Sequence, residues 1–294
     1  MRAFMLAAGA GMVPALFVCL AGSAGAAERL VEMKAAHLAK DVDAYPRIAA
    51  AVDEGEKKIN AAVEKLDARV KKAIAECKRE GGKYADWSRT VDVRMRGPRY
   101  LSYVVTDNSS CGGAHPNVGT TAIVYDLVSG APVDWAKLLP PKLLGKVSLN
   151  ETSDGTKMIT LGSKRLYELY MARYRSGERK GDKECMEAMM QVGSEGSEPT
   201  LTPWLDAKGG GLGINVDVPH VIQACADSIT IPLATLRAEG VGDAMLKAIE
   251  AAKKWRLSAA VAGPAGRCWR CNPIPARSSS TAHRRNLPSP RRSG

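Results

Sequence analysis

Between residues 48 and 77 the apolar positions Ile59, Ala62, Val63, Leu66, Val70, Ala73, Ile74 and Cys77 recur at three- and four-residue steps. That period predicts an amphipathic helix. The other face carries Glu56, Lys57, Lys58, Glu64, Lys65, Asp67, Arg69, Lys71 and Lys72, so one stripe should meet a core and the other solvent. Gly81-Gly82 supply the stop. Upstream, residues 41–45 read as a strand, because Pro46 disfavours helix at Tyr45. Downstream the period changes to two: Val91, Val93 and Met95 share one face of a strand over 87–96. Gly97-Pro98 turns the chain, and 100–106 pairs back as a hairpin. A third strand spans 120–128 and ends at Ser129-Gly130.

The pattern then alternates between helix and strand. Trp135 and Leu138-Leu139-Pro140-Pro141 mark a short helix or irregular piece. Residues 161–174 predict a second helix, with Leu166, Leu169, Tyr170 and Tyr174 toward a core, and 182–190 a third. A polar loop covers 191–200. Strands near 201–206 and 212–218 close the sheet around Lys208-Gly209-Gly210-Gly211, a short strand covers 228–232, and 239–256 forms a last helix. Strands interrupted by helices and joined by hairpin links predict an α+β fold: a mainly antiparallel sheet packed with a long helix, in a single domain over 28–257. There is no internal repeat. Both phenylalanines, Phe4 and Phe17, precede this body, so its aromatic core must rest on Trp87, Trp135, Trp204 and the tyrosines.

The two ends do not read as fold. Residues 1–27 fit a secretory signal peptide: Arg2, an apolar run over 12–20, then Gly22-Ser23-Ala24-Gly25-Ala26-Ala27 for cleavage. Pro14 interrupts the run, which counts against an uncleaved anchor, and Cys19 leaves with the signal. No later stretch is long and apolar enough to span a bilayer, so no stable membrane insertion is expected after cleavage. The protein should be periplasmic or secreted. Residues 258–294 hold seven arginines and neither an acid nor a lysine. They show no helical or strand period and are expected to be a disordered basic tail. A reading-frame slip near Gly263 would account for that composition; an intact frame through the stop codon would dismiss the idea. Cys268 and Cys271 have a redox or metal-site spacing, but no second ligand pair lies near them.

Charge therefore changes the picture less than its total implies. Of the formal +11, the tail carries +7 and Arg2 +1, which leaves +3 on the body. Export and this mild balance argue against nucleic acid as a partner. Four cysteines remain in the body: Cys77, Cys111, Cys185 and Cys225. An even number in an exported chain favours disulfides over a metal centre or free buried thiols. Three pairings are open. The sequential one, Cys77 with Cys111 and Cys185 with Cys225, is preferred because each bond then closes a loop within one half of the body. Loops of this size are worth about 3–4 kcal/mol each in the chain-entropy picture.

The densest chemistry lies in Cys111-Gly112-Gly113-Ala114-His115-Pro116-Asn117, between two predicted strands. Glycines, a proline and an asparagine dictate a tightly shaped loop. Gly112, Gly113, His115 and Asn117 are its candidate binding residues, since loops on a rigid scaffold carry recognition. His115 could instead act as a general base, oriented by Asp107 or Asp126, with Ser109 or Ser110 as nucleophile. His115 and His220, with Asp217 as a third ligand, are a weak zinc set, and neither a metal nor a cofactor is expected. Gly209-Gly210-Gly211-Leu212-Gly213 lacks the Lys-Ser/Thr of a phosphate loop.

Four pieces together resemble a known exported family. They are Tyr45-Pro46-Arg47-Ile48 with Lys58-Ile59-Asn60; the 100–105 strand leading into the glycine-histidine loop; Tyr125-Asp126-Leu127 with Gly130 and 135–139; and Gly211-Leu212-Gly213-Ile214 followed by Pro219-His220-Val221 and Ile229-Thr230-Ile231-Pro232. Over about 42–236 the chain is similar to the RsiV-like domain of unknown function. That domain forms the outer portion of lysozyme-sensing anti-sigma factors and accompanies the catalytic domain of some peptidoglycan deacetylases. The resemblance implies a non-catalytic binding module for an envelope protein or peptidoglycan. The alternative is a small cell-wall hydrolase using His115. No sigma-binding segment and no deacetylase domain is recognisable in the sequence, so neither context carries over whole.

Overall fold

The computed structural model describes residues 29–262 apart from 114, 153, 178–179 and 193–197. The expected signal segment 1–27, Cys19, the tail from 263 onward and Cys268 and Cys271 lie outside the described residues.

The chain opens with four short strands: β1 Met33–Lys34, β2 His37–Ala39, β3 Val42–Asp43 and β4 Arg47–Ile48. Helix α1, Glu54–Gly81, follows. It starts later than residue 48, for two reasons visible in the contacts. Arg47 and Ile48 are engaged with β1 as an antiparallel ribbon. Asp53 then caps the helix, accepting from the Glu56 amide at 2.9 Å, while Glu56 accepts from the Val52 amide at 2.8 Å. The cap satisfies amide donors that a helix begun at residue 48 would have placed elsewhere. Asn60 fastens the ribbon to α1: its side chain accepts from the Ile48 amide at 2.9 Å and donates to the Ile48 carbonyl at 3.0 Å.

Strands β5 Asp86–Arg96, β6 Tyr100–Ser110 and β7 Asn117–Asp126 complete a five-stranded sheet of order β2-β3-β5-β6-β7. All its pairs are antiparallel except β3 with β5. Two short helices follow, α2 Trp135–Leu138 and α3 Pro141–Leu144, then β8 Lys146–Glu151 and β9 Lys157–Gly162. The remaining elements are α4 Lys164–Tyr174, α5 Lys183–Val192, β10 Thr200–Asp206, β11 Gly211–Val216, β12 Ile229–Pro232, α6 Leu233–Ala238 and α7 Asp243–Ala262. A 3-10 helix, His220–Cys225, links β11 to β12. The second sheet is wholly antiparallel, in the order β12-β11-β10-β9-β8.

The molecule is a single α+β domain dominated by antiparallel pairing around one long helix. Apart from the β1–β4 ribbon, however, the strands belong to two five-stranded sheets, where one sheet was expected. The difference is the β8–β9 hairpin, whose second strand occupies the start of the helix predicted from residue 161. Ser163 marks the true boundary, accepting from the Leu166 amide at 3.2 Å as the cap of α4. The last helix also divides. Glu239 closes α6, Gly240 adopts φ +82°, and α7 begins at Asp243 and continues through Ala262, beyond the 257 boundary of the sequence reading.

Strand β6 is buried on both faces from 100 to 105, which explains an apolar run broken only by the buried Ser102. Leu101, Tyr103 and Val105 face α1 and pack with Tyr45, Ile59 and Val63. Val104 faces the larger core between the sheets, with Ala122, Val124, Leu161, Trp204 and Leu246. Tyrosines and tryptophans replace phenylalanine as expected; the Tyr45 hydroxyl and the Trp204 indole N–H are buried without a hydrogen-bond partner among the described residues, while other tyrosines find one. Tyr103 donates to the Pro46 carbonyl at 2.7 Å, and Tyr170 and Tyr174 donate to the carbonyls of Asp227 and Cys225 at 2.8 and 3.0 Å. Gly213 sits opposite Trp204, where a Cβ would lie 2.0 Å from the indole, so the strand needs glycine there.

Candidate functional site: a cystine-braced loop beside a polar cleft

The glycine-histidine loop is shorter than its sequence suggests. Strand β6 continues to Ser110 and β7 begins at Asn117, with Ser109 opposite Asn117. Asn117 is therefore the first residue of a strand and not a loop residue. The loop between is tied to the end of α1 by the Cys77–Cys111 disulfide, whose Cα atoms are 4.7 Å apart. The second disulfide joins Cys185 of α5 to Cys225 of the 3-10 helix, with a Cα separation of 5.2 Å. The sequential pairing is thus the one formed.

These bonds fix two segments that touch. Gln223 holds the start of β7 from both sides, donating to the Val118 carbonyl and accepting from the Val118 amide. The Nε2 of His220 bonds the Pro116 carbonyl at 2.7 Å, which requires the hydrogen on that nitrogen. The rings of His115 and His220 lie 5.7 Å apart, both exposed. Tyr174 supports the 3-10 helix through the Cys225 carbonyl, and Tyr170 the residues just after it through that of Asp227. A histidine pair 105 residues apart in sequence is thereby presented on one braced surface.

The two glycines have different roles. Gly112 has φ +91°, and a Cβ on it would lie 2.9 Å from the Gly81 Cα, so the loop presses backbone to backbone on the end of α1. Around Gly113 there is open space. Gly112 shapes the loop; Gly113 leaves its surface bare.

Beside the loop, at the edge strand β7, lies a cleft of about 250 Å³. The β8–β9 tip wraps past that edge, and Arg69 of α1 donates to the Gly155 carbonyl at 2.9 Å. This brings Asp154 within 3.6 Å of the Arg89 guanidinium. Arg89 also bonds Asp107 at 2.7 Å, and Asp107 accepts from the Trp87 indole at 2.9 Å. The Arg89 side chain is only 1 % exposed, with its guanidinium over the Tyr45 ring at 5.1 Å. Burial opposes its charge, but Tyr45, Asp107 and Asp154 outweigh that and hold the guanidinium above its ordinary value. Burial pushes the Asp107 carboxyl up, against the pull of Arg89 and the Trp87 hydrogen bond. Asp217 lies at the rim, exposed as a residue, yet partial burial of its carboxyl also pushes it up. Asn117, Thr121 and Thr202 complete much of the lining.

For hydrolysis the geometry is incomplete. Asp126 stands at the far end of β7, about 30 Å from the loop at strand rise. Asp107 is engaged by Arg89 and Trp87. Among the described residues no hydrogen bond joins the His115 imidazole to a serine hydroxyl or a carboxylate. His115, His220 and Asp217 do not form a metal site either, because no three acidic, histidine or cysteine side chains among the described residues are grouped to hold an ion.

Sequence reading missed Arg89, Asp154, Thr121 and Thr202, which only the tertiary arrangement assembles. Asp154-Gly155 was the available signal, since an Asp-Gly pair between alternating apolar residues marks a hairpin. No helix among the described residues is long and apolar enough to cross a membrane. No family model matches the chain, and no curated protein matches it.

Proposed function

We propose that this is an exported protein of the periplasm or cell surface, built as a binding module of the RsiV-like kind. Its ligand is an envelope protein or peptidoglycan, contacted through the His115 loop, the 220–225 helix and the adjoining cleft. The observation that carries this reading is the pair of disulfides, each anchoring one of the two touching segments to a helix. A pre-organised loop loses less entropy on binding than a mobile one. Cystines of this kind form and persist in oxidising compartments, which supports export. Further support comes from the side chains displayed: His115 and Asn117 are exposed with polar atoms to offer, and His220 is exposed beside them with its Nε2 given to the Pro116 carbonyl.

The test is co-sedimentation with purified peptidoglycan sacculi and affinity capture from envelope extract, comparing wild type with the double variant His115→Ala, His220→Ala. The expected result is a saturable wild-type interaction that weakens about tenfold in the folded variant. Unchanged binding would remove the loop from the contact surface. Release of soluble fragments from sacculi by wild type but not by His115→Ala would overturn the module in favour of the hydrolase.

A further inference from the structure

We infer that the cleft at the edge of β7 is a subsite for an organic cation, a primary ammonium group of the lysine side-chain type carried by the bound partner. The inference rests on the binding-module reading and names the chemistry of part of that surface.

The charges lining the cleft have one sign. Asp107, Asp154 and Asp217 line it, and no lysine, arginine or histidine does. Arg89 lies behind the wall and is shared between Asp107 and Asp154. One guanidinium between two carboxylates leaves one negative charge, and Asp217 adds a second. This local field is opposite in sign to the +3 body around it.

Two buried hydroxyls point independently to a ligand. Thr202 is 3 % exposed and Thr121 is 6 % exposed, and both line the cleft. Neither side chain has a hydrogen-bond partner among the described residues, and neither hydroxyl is among the fully enclosed unpaired atoms, so both open on the cleft. The hydroxyls of Tyr45 and Ser102 are also unpaired but fully enclosed, so what marks Thr121 and Thr202 is that their unpaired oxygens open on the cleft. An ammonium offers three donors and no acceptor, which is what unpaired hydroxyl and carboxylate oxygens require. Next to them Gly119 of β7 has nothing within 4 Å of where its Cβ would be, so the lining stops short of filling the space.

The spacing argues against a metal, since no three ligating side chains among the described residues are close enough to hold one. It argues against a guanidinium as well. Bidentate pairing needs a free carboxylate edge; Asp107 and Asp154 are engaged by Arg89, Trp87 and Thr156, so among the described residues Asp217 at the rim is the one carboxylate of the lining left for it, while the threonine hydroxyls deeper in offer single acceptors. A compact, tetrahedral cation fits single acceptors better.

The experiment is an NMR titration of the isotope-labelled full chain at low ionic strength. The probe is Nα-acetyl-lysine methylamide, and the control is the same molecule acetylated on Nε, which removes the charge. The expected result is saturable shifts at the Gly119, Thr121 and Thr202 amides with the cationic probe alone. Asp217→Asn should weaken that binding about fivefold, and Gly119→Leu, which fills the open space, should abolish it. Each variant's fold is read from the dispersion of the same spectra. Absence of shifts, equal shifts with the neutral analogue, or shifts unaffected by Asp217→Asn would overturn the subsite. Because the probe is a small molecule, the result is independent of sacculus or partner binding. Sacculus binding with a silent titration would sink only the cation subsite, and the converse only the macromolecular reading.

Discussion

At one end of the β6–β7 hairpin, Asp126 accepts from the Val128 and Ser129 amides at 2.9 and 3.0 Å and from Arg99 at 2.9 Å, and the turn lies on Gly55 of α1. A Cβ at Gly55 would come within 2.1 Å of the Leu127 carbonyl oxygen, and Gly130, at φ +70°, approaches the Gly55 carbonyl in return. At the other end His115, Pro116, Asn117 and Val118 are exposed, and the backbone is held by a disulfide and by Gln223. One end is fixed by close packing over a buried Leu127, the other by a covalent bond where apolar burial is missing. Packing leaves no surface free, because the same atoms that stabilise the turn are covered by it. A cystine fixes the backbone and leaves the side chains in solvent, which is the condition a recognition loop needs.

Removing the cystine should give the largest effect. In the double variant Cys77→Ser, Cys111→Ser the chain-entropy picture places the loss at about 4 kcal/mol for a closed loop of this length. Urea denaturation measures the total. Amide hydrogen exchange locates it: protection should fall over 109–119 and persist over 121–127. Equal loss at both ends would mean that the hairpin opens as one unit and that its ends are not independently held.

At the packed end Gly55→Ala should cost about 2 kcal/mol, because a methyl group there meets backbone oxygens that cannot rotate away. Gly113→Ala is the matched change at the braced end and should fall within about 0.5 kcal/mol of wild type, since nothing surrounds that position. Thermal or urea unfolding of both variants checks the contrast. A costly Gly113→Ala would show that the loop surface is covered in solution.

The same contrast decides what was legible in the sequence. The α1 stripe, the β5–β6 hairpin and the division of cysteines into two local loops rest on short-range patterns, and the structure contains them. The β8–β9 hairpin had a local signal in Lys146-Val147-Ser148-Leu149-Asn150 and Asp154-Gly155, but Leu161 also fits the helical pattern of α4, and the helix reading displaced the strand. The His115 loop was visible because glycine, proline and histidine cluster in it. The cleft was not, because Arg89, Asp107, Asp154 and Thr202 come from four separate strands and turns in two sheets. Apart from the turn signal of Asp154-Gly155, nothing in their own neighbourhoods distinguishes them from ordinary surface polar residues. Covalent and turn chemistry is written locally, whereas a wall built by one sheet wrapping past the edge of another is not.

The smallest expected effect tests the electrostatics of that wall. Burial holds the Asp217 carboxyl above its ordinary 3.8, so the folded state keeps the proton to higher pH than the unfolded chain does. Between the two values the folded protein binds more protons, and wild-type stability falls as pH rises. An Asp217→Asn variant carries no such proton. Its stability relative to wild type should be constant below about pH 3.8, rise through the window above it, and level off once the folded carboxyl has ionised. Urea midpoints of the two proteins measured from pH 3 to 7 give this difference directly. A flat difference would show that Asp217 is as well hydrated as an ordinary surface acid. A falling one would mean that an unrecognised positive group already serves it, and the cleft would then have no field to offer a ligand.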